Sequence, residues 1–128
     1  MEYPDNLKYT KDHEWLRVED DGETATVGIT EFAQSELGDI VFLEIDTLNE
    51  DLSKDDVFGT VEAVKTVSEL FMPVSGTVIA FNEELEDSPE LVNDDPYGDG
   101  WLIRLKMSDS DELGGLLDAS AYRDMVGA

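Results

Sequence analysis

Apolar runs in this chain never exceed five residues, and Ile40-Val41-Phe42-Leu43 is among the longest. A membrane-spanning helix needs about 20 predominantly apolar residues in a row, so none fits. Short strands fit well. Trp101, Ile103, Leu105 and Met107 alternate with Leu102, Arg104 and Lys106, the period of two of a strand. Residues 9–19 and 23–29 predict two further strands around the hairpin-type turn Asp20-Asp21-Gly22. Residues 39–45 and 77–82 predict two more. The β-branched stretch 57–67 and its return 69–72 predict a hairpin with Val64-Lys65-Thr66 at its tip.

Helices are expected only as short punctuation. Thr30 can cap a helix over 31–37 that Gly38 closes. A helical turn is expected near 89–93, another short helix after Ser108 or Asp109, and a last one after Asp118. Residues 49–56 read as an acidic loop. Many short strands joined by turns predict an all-β sandwich or barrel with small peripheral helices. The 128 residues suit one domain over 1–128, and no convincing internal repeat divides it.

Charge narrows function further. Thirty-two Asp and Glu outnumber eight Lys and Arg, giving a formal net charge of −24. Apolar residues still make up 41%, enough for a real core. Nucleic-acid backbones and anionic membranes need clustered cations, so neither is an expected partner. The acids are dispersed along the chain, and there are only five lysines: Lys8, Lys11, Lys54, Lys65 and Lys106. Such a surface suits very salty cytoplasm, where the Debye length falls to about 3 Å at 1 M salt and repulsion is screened. Halophilic adaptation is the expectation. The opening Met1-Glu2-Tyr3-Pro4 is acidic and is neither a secretory signal nor a transit peptide, so a soluble cytoplasmic protein is expected. A monomer is the expected state.

Catalytic motifs fail one after another. No cysteine is present, which excludes thiol nucleophiles, disulfides and thiolate metal sites. His13-Glu14 begins like a zincin motif, but Arg17 stands where the second histidine belongs. His13 beside Trp15 reads better as a packed structural residue. The loops 95–100 and 109–114 imitate calcium loops, yet Tyr97, Lys106, Leu113 and Ser120 occupy ligand positions. No nucleophile elbow or phosphate loop occurs.

One segment stands out against this background. In a lysine-poor chain, Lys65 sits alone at an apolar hairpin tip. A tip presents one amine in a fixed, exposed position, as a modifying enzyme requires. By pattern alone, an ordinary surface lysine fits equally well. The surrounding blocks add more. Gly59-x-Val61-Glu62-x-Val64-Lys65 is followed by Ser68 and by Pro73-Val74-Ser75-Gly76. Leu7-Lys8-Tyr9-Thr10 with His13-Glu14-Trp15 precedes it, and so does Ala25-Thr26-Val27-Gly28-Ile29-Thr30 with Leu37-Gly38-Asp39-Ile40-Val41-Phe42. Pro89-Glu90-Leu91-Val92-Asn93 with Asp95-Pro96-Tyr97-Gly98-Asp99-Gly100-Trp101 comes after. In these blocks, and in its tail from Leu116 to Tyr122, the chain resembles the glycine cleavage system H-protein family of lipoyl carriers. Ala63 where the family usually has Ser, Thr66-Val67, and Glu69 where Asp is common are small departures.

The resemblance implies a mainly β barrel-sandwich hybrid of the biotinyl/lipoyl-carrier type with small peripheral helices. It implies lipoate bound covalently to Lys65 as an amide, with Gly59, Val61, Glu62 and Val64 as the attachment motif. It implies a carrier and not an enzyme. Its partners would be a pyridoxal-phosphate glycine decarboxylase, a tetrahydrofolate-dependent aminomethyltransferase, an FAD- and NAD-dependent dihydrolipoyl dehydrogenase and a lipoate-attaching enzyme. It also implies a cleft sheltering the loaded arm, with Asp12, Glu14 and Glu69 at the matching positions; a solvated acidic surface fits those three equally well. No metal ligand set is expected. A carrier that relays lipoyl groups to other lipoyl enzymes would use the same hairpin. An unmodified interaction module is the third reading. Biotin is disfavoured because its usual Met-Lys-Met is here Val64-Lys65-Thr66. The charge reading carries its own test: the melting temperature should rise steeply from dilute buffer to molar KCl, and a salt-independent value would contradict halophilic adaptation.

Overall fold

The structure is a computed structural model that describes residues 2–127. Nine strands form two sheets: β1 (Lys8–Tyr9), β2 (Glu14–Val18), β3 (Thr24–Ile29), β4 (Ile40–Glu44), β5 (Asp51–Leu52), β6 (Val57–Ala63), β7 (Val67–Phe71), β8 (Gly76–Phe81) and β9 (Ile103–Met107). The larger sheet has the order β1-β2-β3-β9-β8-β5, and the smaller is β4-β6-β7. All pairings are antiparallel. The sheets face each other without closing into a barrel, as in a barrel-sandwich hybrid. Short helices decorate the edges: α1 (Glu31–Leu37), α2 (Glu84–Asp87), α3 (Leu91–Asp94), a 3₁₀ turn (Ser110–Gly115) and α4 (Ala119–Val126). No helix among the described residues is long and apolar enough to cross a membrane.

The main core fills the space between the sheets. Val27 from β3, Leu105 from β9 and Val78 from β8 are fully buried in one cluster with Phe58 and Val61 from β6. A second, aromatic cluster lies on the other side of β2. There Tyr9 stacks on Tyr122 of α4 with ring centroids 4.8 Å apart, and Tyr3 meets Tyr122 edge-on at 5.3 Å. Strand β2 is therefore buried on both faces, Leu16 inward and Trp15 outward. Trp15 lies opposite Gly28, where a Cβ would sit 2.6 Å from the indole ring. Glycine is needed there to let the ring lie flat on the neighbouring strand.

The helix caps follow the sequence closely. Thr30 Oγ1 accepts from Ala33 N, Asp109 from Asp111 N and Asp118 from Ala121 N. Gly38 closes α1 with φ +83. The expected strand over 9–19 is instead two strands. The chain turns at 10–13, where His13 takes φ +70 and its N–H donates to Thr10 O. The expected loop over 49–56 contains the two-residue strand β5, which hydrogen-bonds to β8 at the sheet edge. The helix α2 was not expected. The lengthened strand over 57–67 stops at Ala63, and β7 starts two residues earlier than the return at 69.

Candidate functional site

The β6–β7 hairpin carries every residue of the expected attachment motif. Gly59 lies at a bulge in β6, where a Cβ would fall 2.6 Å from Glu44 O. Only glycine permits β4 and β6 to approach so closely. Val61 points inward and is fully buried. Glu62 points outward, in a cross-strand row with Phe42 on β4 and Val67 on β7. Val64 at the tip is 72% exposed. Lys65 beside it is exposed and forms no ion pair among the described residues.

The tip is held from below. Ala63 N donates to Thr66 O across the turn, and Val64 N donates to Asp39 O at 3.0 Å. The Lys65 stem runs along Gly38, where a Cβ would meet Lys65 Cε at 3.4 Å. Asn93 fixes this support. Its Nδ2 donates to Gln34 Oε1 (2.7 Å) and Gly38 O (2.9 Å), and its Oδ1 accepts from Ile40 N (2.9 Å). One amide side chain thus ties the end of α1 to the start of β4, the segment on which the lysine rests. Sequence reading placed Asn93 in a helical turn and in a block of the family resemblance, without a role; that role is set by long-range contacts that no local pattern reveals.

A cleft of about 170 Å³ opens between α1, the 10–13 turn and β7. Asp12, Glu14 and Glu69 all line it, together with Glu36, which sequence reading missed. Apolar walls come from Ile29, Ala33, Leu37, Val61 and Leu70. Asp12 and Glu69 are exposed, but Glu14 is 2% exposed. Strand alternation explains this: Glu14 shares the inward face of β2 with Leu16. Its Oε2 accepts from Phe71 N at 3.2 Å, bridging β2 to β7 of the other sheet. Thr10 Oγ1 donates to its Oε1 at 2.8 Å. Burial pushes the Glu14 carboxyl up to about 8, against the opposing pull of these hydrogen bonds. Near pH 7 the group is mostly protonated.

His13 is a structural residue at the cleft's edge. Its Nδ1 lies 2.8 Å from Tyr122 Oη, which in turn meets Thr30 Oγ1 at 2.8 Å. Burial lowers its pKa against the opposing pull of Asp12 and Glu36, which favours the neutral ring. The cleft therefore contains several acids, a neutral histidine and no cationic side chain. No cluster of His, Cys, Asp and Glu among the described residues could hold a metal ion.

The model of one family, described as glycine cleavage H-protein, matches residues 7–128. The chain belongs to the glycine cleavage H-protein family. A Salinibacter ruber protein named glycine cleavage system H protein is 62% identical over 126 residues, covering 98% of this chain and 100% of that one. A Staphylococcus carnosus protein of the same name is 54% identical and covers 99% of both. The crystal structure of a glycine cleavage system H protein from Mycobacterium marinum superposes with a TM-score of 0.88 at 36% identity, covering 98% of this chain and all of that one. H-protein membership accounts for the hairpin, the sandwich and the small helices together.

Glu14 gives this site a measurable signature. Its folded pKa lies above the ordinary 4.5, so the folded state holds a proton that the unfolded chain releases between pH 4.5 and 8. The group's contribution to stability falls as pH rises through that window, by on the order of a few kcal/mol, and is flat above it. Glu14→Gln should remove this slope. Denaturant unfolding at fixed salt should show the variant gaining on the parent from pH 4.5 to 8. A stability difference that does not change with pH would contradict the buried, protonated acid.

Proposed function

We propose that this chain is the cytoplasmic lipoyl-lysine carrier of a glycine cleavage system, shuttling the aminomethyl group of glycine between partner enzymes. The observation that carries this reading is the exposed Lys65 side chain, without an ion pair among the described residues, at a hairpin tip hydrogen-bonded to Asp39, near a cleft with apolar walls and acidic groups. Lipoate joined to Lys65 as an amide supplies a dithiolane that accepts electrons and a one-carbon unit. Lys65 Nζ, exposed and without an ion pair among the described residues, is available to form that amide, and its stem lies against Gly38, whose carbonyl Asn93 holds. Family membership supports glycine decarboxylase, aminomethyltransferase, dihydrolipoyl dehydrogenase and a lipoate-attaching enzyme as partners. The tether raises the effective concentration of its end group at a docked partner and, when undocked, at the chain's own cleft.

The cleft residues suit a shelter for a cationic end group. Ile29, Leu37 and Val61 exclude water around an apolar arm. Glu14 is set to hold or release a proton at its carboxyl. An ammonium entering the cleft favours the ionised form of Glu14, and the proton leaves to solvent. A charge-assisted hydrogen bond then keeps the amine protonated. Asp12 and Glu69 add negative potential at the mouth.

The test is functional. After enzymatic lipoylation, the chain should support carbon dioxide release from glycine by glycine decarboxylase. Lys65→Arg should fall to the level seen without carrier, and Lys106→Arg should match the parent. Full activity of Lys65→Arg would overturn the assignment.

A further inference from the structure

A second cavity in the molecule is larger than the acidic cleft. It has a volume of about 330 Å³ and adjoins the cleft at Asp12, which lines both. Its floor is apolar, made by Tyr9, Pro73, Leu116, Leu117 and Met125. The paired backbones of Tyr9 and Leu117 seal it, each N–H donating to the other's carbonyl at 2.8 Å. A volume near 300 Å³ with an apolar lining and a few polar groups suits a small ligand.

The rim is unusual for this protein. Two of its five lysines, Lys11 and Lys54, line the cavity. The Lys54 ammonium stands over Gly115 at the mouth, 3.5 Å from where a Cβ would be. Acids outnumber bases 32 to 8 in this chain, yet neither lysine has a carboxylate within ion-pair distance among the described residues. Asp12 and Asp55 share the rim without pairing with either. Their charges offset the two cations and disfavour a multiply charged ligand.

We propose that this cavity binds a small monocarboxylate with a compact apolar body. The carboxylate sits between Lys11 and Lys54, and the apolar part rests on Leu116, Leu117 and Met125. This site contains neither Lys65 nor Glu14 and shares only Asp12 with the acidic cleft, so it stands or falls independently of the lipoyl reading.

The probes are hexanoate, hexanol and acetate, titrated into the ¹⁵N-labelled full chain at one KCl concentration where it is folded. Hexanoate should give saturable amide shifts at Lys11, Lys54, Gly115, Leu116 and Met125, with a Kd on the order of 1 mM. Hexanol and acetate should each bind at least about fivefold more weakly, since each lacks one half of the recognition. Lys11→Met and Lys54→Met keep the apolar stems and remove the charges. Each should weaken hexanoate about fivefold, while Lys106→Met should not. Unchanged spectra away from the cavity show that the variants are folded. Equal binding of hexanol, shifts confined to other residues, unaltered affinity in both rim variants, or no saturation at tenfold the expected Kd would each overturn the proposal.

Discussion

The inward row of the β6–β7 hairpin is the constraint on which the rest depends. Phe58, Val61, Leu70 and Met72 are all buried between the sheets. Each such side chain contributes about 1.5–3 kcal/mol relative to exposure. With its root held in the core, the hairpin has only one free end. That end is Val64-Lys65-Thr66. The lysine is exposed because it lies in the turn beyond the buried rows of both strands. Gly59 permits the close crossing with β4, and Gly38 gives the lysine stem a smooth surface to lie on.

Glu14 sits at the opposite extreme of solvation. It occupies an inward position of β2, where a strand ordinarily places an apolar residue. Hydrogen bonds from Thr10 and from Phe71 N satisfy it, and the latter links the two sheets at the cleft. Burial keeps it protonated, so the group is neutral when nothing charged lies near and ionisable when a cation does. A chain with dozens of surface carboxylates thus holds one whose charge state is set by what enters the cleft.

Much of this was legible in the sequence because it is local. The caps at Thr30, Asp109 and Asp118 rest on side chains two or three residues from the backbone N–H groups that donate to them, and the hairpin tip rests on β-branched strands around one turn. The strand break at 10–13 was not legible. It depends on His13 adopting a left-handed backbone while its ring bonds to Tyr122, 109 residues away. The strand β5 is only two residues long and exists because β8 offers an edge. Asp12, Glu14 and Glu69 were expected near one another through family resemblance, and the fold does bring them to one cleft. Glu36 at the cleft and the supporting role of Asn93 escaped notice because their neighbours come from distant segments. In an acid-rich chain, one more glutamate carries no signal by itself.

The account's central claim is that Lys65 is the one amine this protein presents for attachment of its arm. Intact-mass spectrometry with peptide mapping, on protein purified from its own lipoate-replete cells, tests it most directly. The predicted result is a mass increase of a single lipoyl group, located on the peptide containing Lys65. An unmodified chain, or a lipoyl group mapped to another lysine, would contradict it.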